Sequence, residues 1–147
     1  MKTVLAVDDE LSVREAYRLI LSDKYRVIQA EDGPAALKIL NETHVDLVLL
    51  DMVMPSMTGM EVLDAIAKID REIPVIVVTA VKSVASAVDA IKRGAREYII
   101  KPFDVDELAL KVDQTIADHQ KDCELTLLRE AELQGFESIV GNSPALT

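Results

Sequence analysis

The sequence predicts an α/β domain built on a parallel sheet, and three observations carry that prediction. Leu47-Val48-Leu49-Leu50 is apolar at four consecutive positions, the pattern of a strand covered on both faces. Short runs of similar character recur along the chain, with helically spaced apolar residues between them. The Leu47 run also ends on a single carboxylate, Asp51, with Pro55 and Gly59 marking the loop that follows. Ligand chemistry in open parallel sheets gathers at the carboxyl ends of the strands. An Asp at that place is a nucleophile or a metal ligand, with a helix cap or a polar residue at the rim of the core as the plainer alternatives.

Taken in order, Lys2 to Val7 reads as the first strand, ended by Asp8-Asp9-Glu10. Ser12 followed by Glu15 has the spacing of a capping box, and Val13, Ala16, Tyr17, Ile20 and Leu21 recur at helical intervals. Tyr25 to Ala30 is a second strand. Asp32-Gly33-Pro34 opens a helix with Pro34 near its first position, and Ala36, Leu37 and Leu40 give it an apolar face. After the third strand a helix starts near Thr58 and turns Met60, Leu63, Ile66 and Ala67 inward. Pro74 to Thr79 is a fourth strand. Ser83 to Arg93 is a helix with Val84, Ala87, Val88 and Ile91 on one face and Gly94 as its stop. Glu97 to Ile100 is a fifth strand, ending at Lys101-Pro102, a candidate cis bond because X-Pro carries the smallest cis penalty. Asp104 to about Gln134 reads as one long helix. Five strands alternating with five helices, joined by right-handed crossovers, fit the flavodoxin-like order 2-1-3-4-5 with helices on both faces.

Composition narrows the function. The 147 residues are 50% hydrophobic but only 3% aromatic, so the core is aliphatic. The net charge of -10 argues against direct contact with nucleic acid. The acidity is concentrated late: residues 104–147 carry 10 acidic and 3 basic side chains, residues 1–103 carry 16 and 13. A lone cysteine, Cys123, precludes an internal disulfide and fits a cytoplasmic setting. No apolar run approaches the length of a membrane span, and Asp8-Asp9-Glu10 cuts the first run too short for a secretory signal. His44 and His119 lack metal-ligand neighbours and are expected at the surface.

The strand order brings the ends of strands one, three, four and five to one cleft, carrying Asp8-Asp9, Asp51, Thr79 and Lys101. Converging carboxylates repel one another unless a cation sits among them. Mg2+ suits such oxygen donors, and Lys101 adds a fixed positive charge. A carboxylate so placed can attack a phosphoryl group. Asp51 is then the acceptor, Asp9 the main metal ligand, Asp8 a second or water-mediated one, and the Val53 carbonyl completes the shell, while Thr79 offers a hydroxyl donor.

These motifs, Val7-Asp8-Asp9-Glu10, Leu50-Asp51-Met52-Val53-Met54-Pro55, Gly59, Val78-Thr79-Ala80, Gly94-Ala95 and Lys101-Pro102-Phe103, resemble in order and kind the receiver domain of a bacterial two-component response regulator. The resemblance spans roughly residues 2–120, and the strand order is itself a property of that family. It implies transfer from the phosphohistidine of a sensor histidine kinase to Asp51 with Mg2+. It further implies that Thr79 follows the new phosphate and Tyr98 changes rotamer with it, reshaping the face made by helix four, strand five and helix five. Such a domain is a phosphoacceptor rather than an enzyme.

Beyond it, Val112, Ile116, His119, Cys123 and Thr126 make a poor heptad, and Leu125, Leu127, Leu128 and Leu133 would leave a free helix marginal. The segment Phe136 to Leu146 resembles the entry to the ATPase domain of sigma-54-dependent transcription activators, without any phosphate loop. The expected organisation is a receiver over 1–120, a helical linker over 121–135 and the start of a truncated ATPase over 136–147. A homodimer through the linker and the helix four/strand five face is expected with it. Three rival functions fit these residues less well. A haloacid-dehalogenase-type phosphatase would want a second Asp at the place Val53 occupies. A flavodoxin would not put Asp8-Asp9-Glu10 against a phosphate. An unphosphorylated receiver-like dimerisation scaffold would not need the intact Asp9, Asp51, Thr79 and Lys101 set.

Overall fold

Strand interiors with no polar residue become the middle of a sheet. The computed structural model describes residues 1–70 and 72–119. Its strands are β1 (Lys2–Val7), β2 (Tyr25–Ala30), β3 (Leu47–Leu50), β4 (Val75–Thr79) and β5 (Glu97–Ile100). They form one parallel sheet in the order β2-β1-β3-β4-β5, as the sequence predicts. β3 and β4 are buried at every position, whereas the edge strands β2 and β5 are only partly covered.

The helices are α1 (Leu11–Leu21), α2 (Gly33–Glu42), α3 (Gly59–Ile69), α4 (Val84–Lys92) and α5, helical over 105–119. Alternation along the strands divides the core in two. Leu5, Val7, Val48, Leu50, Val75 and Val77 pack with Ala36 and Leu40 of α2, Val62, Leu63 and Ile66 of α3, and Ala90 of α4. Val4, Ala6, Leu47, Leu49, Ile76 and Val78 pack with Tyr17 and Leu21 of α1 and Leu108, Val112 and Ile116 of α5. Each fully buried aliphatic side chain contributes about 2 kcal/mol, so the central strands are the most firmly fixed part of residues 1–116, which form one compact unit.

Local signals set most helix starts. The Asp32 carboxylate accepts from Ala35 N at 2.9 Å, Thr58 Oγ1 from Glu61 N at 3.2 Å and Ser83 Oγ from Ser86 N at 3.3 Å. Each such cap is worth about 1 kcal/mol. One expectation needs correcting. Ser12 does not cap α1: the N-cap is Glu10, whose carbonyl already accepts from Arg14 N at 3.2 Å, because Asp8 ends the strand early enough for Leu11 to be helical. The apolar stripe of α4 is exposed. Val84 is 78% exposed and Val88 and Ile91 are 47% exposed, and Ala90 is the residue α4 buries.

His44 is exposed, and its Nε2 lies 3.0 Å from Asp46 Oδ1; His119 is half-buried. The Lys101–Pro102 bond is cis. No helix among the described residues is long and apolar enough to cross a membrane. Cys123, the 121–135 linker and the 136–147 segment lie outside the described residues.

Candidate functional site

The sheet delivers its polar residues to one edge because each strand stops in step with its neighbours. Val7 pairs with Leu50, Leu50 with Val77, and Val77 with Tyr98. Asp8 therefore follows β1 directly, Asp51 follows β3, Thr79 is the last residue of β4, and Lys101 follows β5. Asp8 and Thr79 are fully buried and Asp51 nearly so.

The Lys101 ammonium joins the two buried carboxylates, donating to Asp8 Oδ2 at 2.7 Å and to Asp51 Oδ2 at 3.4 Å. Asp8 is held on every side. Its N–H donates to Ala30 O at 3.1 Å, its Oδ1 accepts from Glu10 N at 2.9 Å, and its carbonyl accepts from the Arg14 guanidinium at 3.4 Å. Asp51 Oδ1 accepts from Val53 N at 3.3 Å. Burial pushes the Asp8 carboxyl above the ordinary range, against the pull of Lys101 and Glu10 N–H. Burial also works against the Lys101 charge, but Asp8 and Asp51 outweigh it and hold the ammonium above the usual lysine value. The two directions are compatible: the lysine gains two anions, whereas Asp8 gains one cation and loses its water.

One carboxylate oxygen from each of Asp8, Asp9 and Glu10 lies within 4.8 Å of the others, with Asp9 and Glu10 exposed. Hard oxygen donors in a tight group open to water match what Mg2+ requires, a few carboxylates and a largely retained hydration shell. The residues present therefore fit that ion. The trio adds Glu10 to the expected Asp8 and Asp9, and Asp51 meets Asp8 through Lys101. From sequence, Glu10 stands in the acid run that ends the first strand and is given no metal role, and Arg14 is not singled out. The signal for Arg14 is its place one helical turn after Glu10, on the face beside the acid turn.

Thr79 and Tyr98 meet at one residue. Thr79 Oγ1 accepts from Val81 N at 3.3 Å, and Tyr98 O–H donates to Val81 O at 2.8 Å. Tyr98 is half-buried, and burial together with the Asp51 charge raises its phenol above the usual value. Lys101 N donates to Thr79 O at 2.8 Å, which fixes β5 beside the threonine. Val53 is 64% exposed at the mouth of the cleft.

A buried acidic pair bridged by a lysine, at the carboxyl edge of a 2-1-3-4-5 parallel sheet, defines a known class. Residues 4–113 match the response regulator receiver domain, and the chain belongs to that family. It is 38% identical to the transcriptional regulatory protein ZraR of Klebsiella oxytoca and 35% identical to the regulatory protein AtoC of Escherichia coli, each match covering 97% of this chain and 32% of the relative. The chain thus spans about a third of the length of those relatives. Among solved structures, a CheY-like receiver domain protein from Methanospirillum hungatei superimposes with a TM-score of 0.80 at 28% identity, covering 83% of this chain and 98% of that one. TrrA from Thermotoga maritima, solved in complex with Mg(2+)-BeF, gives 0.71 at 37% identity, covering 78% and 99%.

Proposed function

We propose that this chain accepts a phosphoryl group on Asp51 from the phosphohistidine of a sensor histidine kinase and so controls a downstream ATPase module of a sigma-54-dependent transcription activator. The observation that carries the reading is the Lys101 ammonium shared between Asp8 and Asp51 at the ends of β5, β1 and β3. An Asp51 carboxylate oxygen attacks phosphorus, the bond from phosphorus to the imidazole nitrogen breaks, and the imidazole keeps that electron pair. Lys101 leaves its long contact with Asp51 to meet the incoming phosphoryl oxygens. Asp8, Asp9 and Glu10 would hold Mg2+ in the acid turn, together with the Asp51 carboxylate and the Val53 carbonyl. When bound, the ion would neutralise charge on the transferring oxygens. The Mg(2+)-BeF complex of TrrA supports the same ion here.

Thr79 and Tyr98 then supply the readout. A phosphoryl oxygen accepts from the Thr79 hydroxyl and draws it toward Asp51, lengthening the bond that its Oγ1 accepts from Val81 N–H. Release of Val81 loosens the carbonyl that Tyr98 holds, so the α4–β5–α5 face changes shape. The matches to ZraR and AtoC run along nearly the whole chain, well past the receiver match at residue 113, which supports a similar continuation after the receiver. The phosphatase alternative is disfavoured by Val53, which leaves no acid two residues after Asp51.

The test is intact mass with acetyl phosphate and Mg2+. The protein is expected to gain one phosphoryl group, Asp51→Asn to gain none, and Asp9→Asn to bind Mg2+ more weakly and react more slowly. Undiminished uptake by Asp51→Asn, with the label mapped elsewhere, would refute the assignment.

A further inference from the structure

Lys101 must be held still to serve two carboxylates, because a long ammonium side chain loses rotamer freedom when it is fixed. On the N-terminal side its backbone is tied by the bond to Thr79 O. On the other side Pro102 has no N–H to donate, and regular bonding resumes only at Asp104, whose carboxylate accepts from Asp106 N and whose carbonyl accepts from Leu108 N. Between them, Phe103 rests on Tyr17 of α1. The ring centroids are 5.6 Å apart and the planes 17° from parallel. Tyr17 is 1% exposed, one of the largest fully buried side chains. The lysine loop also borders an open cleft lined by Val13, Ala80, Lys101, Pro102 and Phe103. The stack ties the loop to the buried Tyr17 of α1.

Tyr17 also stands on the helix that begins at the acid turn, since Glu10 is the N-cap of α1. One rigid element thus carries the metal-facing acids at its end and the aromatic support of the lysine loop two turns along it. We propose that Tyr17, through its stack on Phe103, is a positioning residue that fixes Lys101 between Asp8 and Asp51. The proposal rests on Asp51 being the phosphoacceptor. The stack needs the ring alone, so Tyr17→Phe preserves it, whereas Tyr17→Leu keeps apolar volume and loses the aromatic face.

The consequence has a signature that simple loosening of the fold lacks. A released Lys101 serves the transferring oxygens badly, so phosphorylation slows. The same release takes a cation away from Asp8, so the acid turn attracts Mg2+ more strongly. The experiment uses the 147-residue chain, reading phosphorylation by acetyl phosphate from intact mass and Mg2+ affinity by calorimetric titration. In Tyr17→Leu the rate is expected to fall about tenfold while Mg2+ binds about threefold tighter. Phe103→Leu should show the same opposed pair of changes, and it serves if Tyr17→Leu does not fold. Tyr17→Phe should match wild type in both. In a Lys101→Ala background, Tyr17→Leu should add nothing. Rate and affinity falling together, leucine variants equal to wild type, or Tyr17→Phe behaving like Tyr17→Leu would each overturn the proposal. Failure of the wild-type protein to take up phosphate would instead defeat the phosphoacceptor reading, and the Mg2+ titration would still decide whether Tyr17 controls Lys101.

Discussion

If Asp51 takes the phosphoryl group as proposed, two valines would govern how water meets it. Hydrolysis needs a water in line with the bond to be broken, and a polar side chain nearby can orient it. The residues two after the proposed acceptor and two after the threonine are Val53, whose N–H donates to Asp51 Oδ1 at 3.3 Å, and Val81, whose N–H donates to Thr79 Oγ1 at 3.3 Å. Val53 projects into solvent at the cleft mouth, and Val81 has both its N–H and its carbonyl engaged by Thr79 and Tyr98. Neither side chain can hydrogen-bond, and both are β-branched and stiff, so they screen the phosphate without guiding water. Self-dephosphorylation is expected to be slow. Val53→Asn with Val81→Glu should shorten the lifetime about tenfold, a barrier change of roughly 1.4 kcal/mol. Decay of the phosphorylated protein in Mg2+ without kinase is the check. Loss within seconds in the wild type, or an unchanged lifetime in the double variant, contradicts screening. Gly59 shows what sequence conveys only in part at this scale. It reads as a loop residue, but its reason is contact: a Cβ there would lie 2.4 Å from the Asp51 carbonyl and 2.5 Å from Met52 Cα, so any side chain would push on the acceptor's own backbone.

At the scale of elements, α5 is clamped to the start of β2. Asp113 accepts from the Tyr25 hydroxyl and pairs with Lys24 at 3.1 Å. Burial, then the bond to Asp113, raises the Tyr25 phenol above its ordinary value of 10.0. A raised value means that the folded protein prefers the neutral phenol. The stability it supplies is complete below the unfolded value and is lost as pH rises through the higher folded one. Tyr25→Phe should cost about 1 kcal/mol near neutrality. The gap should narrow above about pH 10, as urea midpoints of the two proteins at neutral and alkaline pH would show; a constant gap would contradict the clamp's linkage. The clamp joins residues far apart in sequence, and no local pattern announced it. The strands and caps were legible because their causes are local: unbroken apolar runs for β3 and β4, and Asp32, Thr58 and Ser83 at helix starts. Periodicity marked α4's apolar stripe without saying what covers it, and the structure leaves it exposed. Of the site, the residues could be read from strand ends, but not that Lys101 would stand between Asp8 and Asp51 or that Glu10 would join the acid trio.

For the whole molecule, that uncovered stripe and the net charge of -10 act in opposite directions. Val84, Val88 and Ile91 offer apolar surface at helical spacing on a face that the Thr79–Val81–Tyr98 relay adjoins. A stable interface needs on the order of 800 Å2 from each partner, more than three side chains on one nine-residue helix supply. The leucines at 125, 127, 128 and 133 provide a second apolar set. Both together are expected to form a homodimer, with mutual repulsion of the acidic chains weakening it at low salt. Residues 1–147 should therefore sediment as a dimer at high protein concentration, more completely as salt rises, and residues 1–119 as a monomer. The shorter chain keeps the compact 1–116 unit and matches relatives solved as receiver domains alone. Val88→Glu should weaken the long form by adding a desolvated charge to the interface while leaving phosphorylation of Asp51 intact. Equal monomer masses for both lengths, with and without acetyl phosphate and Mg2+, would show that neither the α4 face nor the segment after residue 119 joins two copies.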